Sequence, residues 1–213
     1  GDHRDLPSFP TRRSSDLATK EILGFDPAVN FHIDDEVIAH TRKLADRGEE
    51  KKAAWQQKFD AWASANPENK ALFDRLAARE LPEGFAEDLP SWDADPKGVA
   101  TRKASEAAIQ ALAAKLPEMW GGSADLAGSN NTVIKGAPSF GPESITTDMW
   151  SADPHAGRNL HFGIREHAMA AIMNGVALHG NTRVYGGTFL IFSEYQFPAV
   201  RLGALMSIDT YYV

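Results

Sequence analysis

The apolar positions of this chain change their rhythm near residue 99. Before it they are sparse and recur every three or four residues. "DDEVIAHTRKLADRG" (34–48) has acidic residues at its start and basic ones towards its end, which suits a helix dipole. Gly48 is read as the stop of that helix. In "GEEKKAAWQQKFDAWASANP", Trp55, Phe59 and Trp62 fall at i, i+4, i+7, one face of a second helix. Pro67 opens a further short helix, with Leu72 and Leu76 on one side. "LPEGFAEDLPSWDADPKG" is rich in turn residues and reads as an irregular connection.

After residue 99, short apolar runs alternate with helical stripes. "ATRKASEAAIQALAAKLP" carries Ile109, Leu112 and Leu116 on one stripe and ends at Pro117. "EMWGGSADLAGSN" reads as a strand followed by a glycine turn, and "NLHFGI" as another strand. "REHAMAAIMNGVALHG" predicts a helix with Met169, Ile172, Met173 and Val176 on one face and Gly180 at its close. "TRVYGGTF" is a strand running into a glycine turn. "LIFSEYQFPAVRLGALM" is apolar and helical, with Pro198 as a kink or restart, and "IDTYYV" begins a last strand. Strand–helix alternation over 99–213 predicts an α/β domain: a partial, mainly parallel sheet flanked by helices, preceded by a helical linker region. In such a sheet the functional loops lie at the carboxyl ends of the strands. The chain stops inside a strand signal, so the sheet is expected to be truncated.

Composition narrows the function. The formal net charge is −7, which argues against a general nucleic-acid partner while leaving room for a local basic pocket. There is no cysteine, so disulfides, thiolate metal sites and a cysteine nucleophile are excluded. No apolar run approaches the roughly 20 residues that span a bilayer, so no membrane partner is expected. The cysteine-free composition suits a cytoplasmic protein. His161, His167 and His179 have no metal-ligand spacing, and no metal is expected on this segment.

Four features could carry chemistry. Glu166 opens a helix just after a strand. It is either a first-turn carboxylate stabilised by the dipole or a buried acid sharing a proton with a ligand nitrogen. Gly121 and Gly122 permit a tight turn, after which Ser123 and Asp125 either cap a helix or face a ligand. Phe189, Phe192 and Tyr195 are spaced by three, with Phe197 near them, and suit either core packing or a planar ring ligand. Arg102 and Lys103 stand at a helix start, where cations are unfavourable unless an anion such as phosphate offsets them.

Taken together, "ATRKAS", "GGSADLAGSN", "NLHFGIREHAMAAIMNG" and "GGTFLIFSEY" resemble the transketolase family in content, order and spacing, with the actinobacterial branch closest. "TKEILGFDPAVNFHIDDEVIAH" onward resembles the family's linker between its diphosphate-binding and pyrimidine-binding domains. The resemblance covers 18–213 and divides it into a linker at 18–98 and a truncated pyrimidine-binding domain at 99–213. It implies an enzyme, a homodimer when full-length, that moves a two-carbon ketol unit from a ketose phosphate to an aldose phosphate. The implied cofactors are thiamine diphosphate and Mg²⁺, with the metal ligands in a domain ahead of this segment. Glu166 falls where the family hydrogen-bonds the aminopyrimidine nitrogen and favours its imino tautomer. Phe192 falls where a ring packs on the pyrimidine, with Phe189 and Tyr195 lining the same pocket and Asp125 contacting the cofactor or shaping that pocket. Arg102 and Ser129 fall on sugar-phosphate positions. A dihydroxyacetone synthase-like transketolase and a non-catalytic regulatory paralogue are the alternatives; retention of Glu166 and Phe192 speaks against the second.

Residues 8–17, "SFPTRRSSDL", have no counterpart in that linker. They resemble the one-frame translation of a short-read sequencing adapter at all ten positions. Residues 1–17 are therefore expected to be a non-native, disordered leader fused to a partial chain.

Overall fold

The computed structural model describes residues 12–213, so the expectation for residues 1–11 lies outside the described residues. Residues 12–17 fall in a helix, α1 (Arg12–Ile22). The chain divides into two compact units between Ala65 and Asn66.

The first unit contains α1 and α2 (Asp35–Ala65). Gly48 does not stop a helix: α2 runs straight through it for 31 residues. A helical glycine costs only about 1 kcal/mol against alanine, and its neighbours here are strong helix formers. Trp55, Phe59 and Trp62 do share a face, with ring centroids 5.0 and 5.5 Å apart in succession. No residue of α2 is buried.

The second unit opens with α3 (Pro67–Ala77), with proline at its first position, and continues through turns to α4 (Thr101–Lys115). Then come β1 (Met119–Ser123), α5 (Ala127–Asn130), β2 (Ser139–Phe140), β3 (Ala152–Asp153) and β4 (Asn159–His161). α6 (Glu166–His179), β5 (Arg183–Gly187), α7 (Ser193–Leu205) and β6 (Tyr211–Tyr212) complete it. The six strands form one sheet in the order β3-β2-β4-β1-β5-β6, and every pairing is parallel. β2 and β3 are too short to announce themselves by alternation. α7 passes through Pro198 without a break.

Each sheet face has its own core. On one face Ile109, Ala113 and Leu116 from α4 and its end pack with Met119, Ile134 and Tyr185. On the other, Met169, Met173 and Ala177 of α6 pack with Ala124, Phe162 and Val184. Val184 and Tyr185 are neighbours on β5 and point to opposite cores, as a period of two demands. Ile172 departs from expectation and is half exposed. α7 packs against α6, with Asn174 Nδ2 donating to the Ala199 carbonyl, and the buried arc runs through Met169, Ala170, Met173, Asn174 and Ala177, leaving residue 172 outside it.

Gly121 and Gly122 lie inside β1, not in a turn after it. A Cβ on Gly121 would meet the Tyr185 ring, and one on Gly122 would meet the Leu160 carbonyl. Close approach of the neighbouring strands, on both faces, is what these positions require.

Polar anchors tie the amino end of the sheet. Arg158 donates from Nε to the Met119 carbonyl (3.0 Å) and from Nη2 to those of Ala113 (3.0 Å) and Leu116 (2.8 Å), completing the end of α4. Arg75 grips Glu118 with two bonds of 2.9 Å, and Arg183 Nε lies 3.5 Å from the same carboxylate. Burial alone would raise the Glu118 pKa; the Arg75 hydrogen bonds, a backbone bond and the two guanidinium charges outweigh it and hold it below 4.5.

Two outcomes follow from this packing. Gly121→Ala should destabilise the second unit by about 2 kcal/mol or more through overpacking, whereas Gly48→Ala, with open space around it, should stabilise α2 by about 0.5–1 kcal/mol; denaturation followed by circular dichroism reads both. The Glu118 carboxyl has a lower pKa folded than unfolded, so its contribution is complete above 4.5 and is lost as pH falls through the folded value. Arg75→Ala should cost about 3 kcal/mol at neutral pH and should flatten that acid-side loss in a pH series of melts.

Candidate functional site

The carboxyl ends of β1, β4 and β5 are where the predicted residues gather. Asp125 lies two residues beyond β1, Glu166 five beyond β4, and Thr188 directly after β5. This is the edge at which parallel α/β sheets present their sites.

One cleft, about 500 Å³ in volume, brings together Asp125, Glu166, Phe192 and Tyr195, with Ala124, Leu126 and Ile164 completing its wall. Glu166 is buried at the first position of α6. It makes no hydrogen bond or ion pair with the described residues. Glu166 thus stands at the positive end of a helix and lines a mainly apolar cleft. Asp125 is exposed and holds a left-handed backbone (φ 61°), a strained choice for a residue with a side chain.

A second cleft collects Arg102, Thr101 and Ser105 from the start of α4, Asn130 from the end of α5, and Thr188 and Phe189 after β5. Arg102 is exposed there and has no ion-pair partner among the described residues. Its neighbour Lys103 is already paired with Glu106 at 2.9 Å. Lys135 and then Lys103 bond that carboxyl and hold its pKa low. Of the two basic residues at this helix start, Arg102 is thus the one left to meet an anion.

The aromatic residues do not form a stripe on one helix. Phe189 is extended, Phe192 ends a 3₁₀ turn (Leu190–Phe192), and Tyr195 lies in the first turn of α7. Spacing by three matches a 3₁₀ turn as well as a helix face. Phe189 and Phe192 have centroids 6.4 Å apart, as do Phe192 and Tyr195. The two clefts meet at the Phe189–Phe192 pair, since Phe189 lines the Arg102 cleft and Phe192 the Glu166 cleft. Phe197 is exposed and outside both. Ser129 is exposed on α5 and outside both linings.

Ser123 does not cap a helix; its hydroxyl is the centre of a buried network. Ser123 Oγ donates to the Gly187 carbonyl (2.8 Å) and accepts from the Leu126 N–H (3.1 Å) and from Asn130 Nδ2 (2.8 Å). Thr132 Oγ1 donates to Asn130 Oδ1 (2.9 Å), and the Tyr185 hydroxyl donates to the Thr132 carbonyl (2.6 Å). Burial pushes the Tyr185 phenol pKa up, so it stays a donor. Asn159 similarly pins the 134–137 loop, accepting from the Ile134 N–H and donating to the carbonyls of Ile134 and Ala137. Sequence reasoning missed Asn130, Thr132 and Asn159. Their only signal was polar residues at positions adjoining strands, which loops share.

Comparison with known proteins agrees with this architecture. Residues 97–213 match the family model "Transketolase, pyrimidine binding domain", and residues 12–82 match "Transketolase, thiamine diphosphate binding domain". The second match overlaps the segment assigned above to the linker. The transketolase of Mycobacterium tuberculosis is 60% identical over 196 residues, covering 92% of this chain and 28% of that protein. That of Geobacillus stearothermophilus is 43% identical over the same length and shares. Among solved structures, a Pichia stipitis transketolase in complex with sedoheptulose-7-phosphate superposes with a TM-score of 0.83 at 36% identity, covering 95% of this chain and 29% of that one. Leishmania mexicana transketolase gives 0.82 at 34% identity, covering 94% and 28%. The fold and the family match thus define a thiamine-diphosphate-binding domain of the pyrimidine type. The chain belongs to the transketolase family, and its higher identity to the mycobacterial relative agrees with the actinobacterial resemblance. It spans about 28% of the length of the curated relatives it matches.

A buried carboxyl without a partner contributes little to folding. Glu166→Gln should therefore change the unfolding free energy by less than about 1 kcal/mol in either direction, as read by thermal melts; a loss above about 3 kcal/mol would mean that Glu166 serves the fold instead.

Proposed function

We propose that this chain is part of a cytoplasmic transketolase that transfers a two-carbon ketol unit from a ketose phosphate to an aldose phosphate in the pentose phosphate pathway. The observation that carries this reading is Glu166, buried and unpartnered beside Phe192 and Tyr195 at the carboxyl edge of a parallel sheet. An aminopyrimidine fits that cleft: it is planar and apolar on its faces, and its ring nitrogen can share a proton with one carboxyl group. The diphosphate and Mg²⁺ end of the cofactor is not fitted by these residues, since no cluster of three or more metal-ligating side chains occurs among the described ones. That end is assigned to another part of the full-length homodimer.

Thiamine diphosphate, when bound, supplies the electron sink that lets a carbon–carbon bond beside a carbonyl break and re-form. The chain's own residues then have separate tasks. Glu166 holds a proton at the pyrimidine nitrogen from a helix-terminal position in the cleft wall. Phe192 packs on a ring face, Tyr195 closes the rim, and Asp125 shapes the opening. Phe189 separates this space from the Arg102 cleft. Arg102 attracts the phosphate of the sugar. No helix of the described residues is long and apolar enough to cross a membrane, which suits a cytoplasmic enzyme.

The test is a coupled assay on a full-length enzyme carrying this segment, with xylulose 5-phosphate and ribose 5-phosphate. Glu166→Ala should lower turnover by at least about 100-fold. Phe192→Ala should weaken cofactor binding about tenfold. No turnover in the unmodified enzyme would overturn the proposal. The isolated 213-residue chain should show neither turnover nor tight cofactor binding; micromolar binding by calorimetry would contradict that expectation.

A further inference from the structure

Asn130 borders the Arg102 cleft, and its side chain is bonded at both ends within the protein. Its Nδ2 donates to Ser123 Oγ at 2.8 Å and its Oδ1 accepts from Thr132 Oγ1 at 2.9 Å, so both ends of the amide have protein partners. The residue is buried, so this orientation is not exchanged with water at low cost. Through Ser123 the amide is linked to the Gly187 carbonyl, directly before Thr188 and Phe189 in the same cleft wall. Gly187 itself makes room for the network: a Cβ there would sit 2.6 Å from Thr132 Cγ2 and 3.0 Å from Asn130 Nδ2. On the far side, Gln110 of α4 donates to the Val133 carbonyl (2.8 Å) and accepts from the Lys135 N–H (2.9 Å). α4, which carries Arg102, is thereby tied to the segment that follows Asn130. Beyond Asn130 the chain turns sharply at Asn131, in a left-handed conformation (φ 59°).

We propose that Asn130 is a positioning residue for anion recognition: its amide locks the end of α5 to the ends of β1 and β5, so that Arg102 and the cleft wall at Thr188 and Phe189 present a fixed surface to a phosphate. This rests on reading the Arg102 cleft as the sugar-phosphate site. Asn130 acts through the groups it holds, since each end of its amide is already committed to a protein partner. Its effect is therefore confined to substrates that carry the anion.

The test compares two acceptors, a phosphorylated aldose and an unphosphorylated one, in a full-length holoenzyme carrying this segment. Asn130→Ala should raise KM for the phosphorylated acceptor about tenfold with kcat within about twofold, and leave KM for the unphosphorylated acceptor within about twofold. Ser123→Ala should show the same split, and the double variant should be no worse than the worse single one, as expected for two residues acting through one bond. Asn130→Asp keeps the shape and the acceptor towards Thr132 while removing the donor to Ser123. It should reproduce the split at a smaller size, and it serves where the alanine variant melts early. Equal losses on both acceptors, or no change on either, would overturn the proposal. Arg102→Ala, run alongside, separates the two levels of inference. If it discriminates between the acceptors and the Asn130 variants do not, the positioning role alone fails. If it too treats both acceptors alike, the anion reading of the cleft fails and the positioning role falls with it.

Discussion

On β1, Gly122 faces the Leu160 carbonyl and Gly121 faces the Tyr185 ring, each so closely that no side chain fits between. β1 is the strand between β4 and β5, so this approach sets the spacing at the middle of the sheet. It lets the Tyr185 ring lie over the strand and send its hydroxyl to the Thr132 carbonyl. It also brings the ends of β1 and β5 level, paired as Ser123 with Gly187, where one hydroxyl can join them. Everything proposed for the site leaves from those two ends or from the end of β4 beside them.

The two edges of the sheet treat their polar groups differently, and that difference locates function. At the amino edge Glu118 is met by Arg75 and Arg183, and Arg158 closes the carbonyls at the end of α4. At the carboxyl edge the Ser123–Asn130–Thr132 network is just as complete beneath the surface. Above it stand Glu166 and Arg102, neither with a side-chain partner among the described residues, and Asp125 on a left-handed backbone. Glu166, Arg102 and Asp125 thus stand close together at one edge, and such a cluster of unmet local preference is where a ligand would meet the chain.

Much of this was legible before any coordinates. Strong periodicity placed α4, α6 and α7, and the strand signals placed β1, β4, β5 and β6, because long amphipathic stretches and bounded apolar runs are local properties. Gly48 misled because glycine permits a helix end without requiring one. The paired glycines of β1 misled in the opposite sense: glycine also serves where a strand's neighbours press close, and only those neighbours show which is meant. Ser129 was grouped with Arg102, yet only Arg102 lines the second cleft.

The sequence by itself determined the fold class, the order of the elements and the short set of residues worth suspecting, since those rest on spacing along one chain and on four motifs in register. Tertiary structure alone decided which of them share a space. It put Phe189 with Arg102 and Phe192 with Glu166, although the two rings are three residues apart. It made Ser123 the knot between two strands that are 64 residues apart along the chain. It also left Glu166 buried with nothing to bond. Those outcomes depend on distances between segments far apart in sequence, and no local pattern encodes such distances.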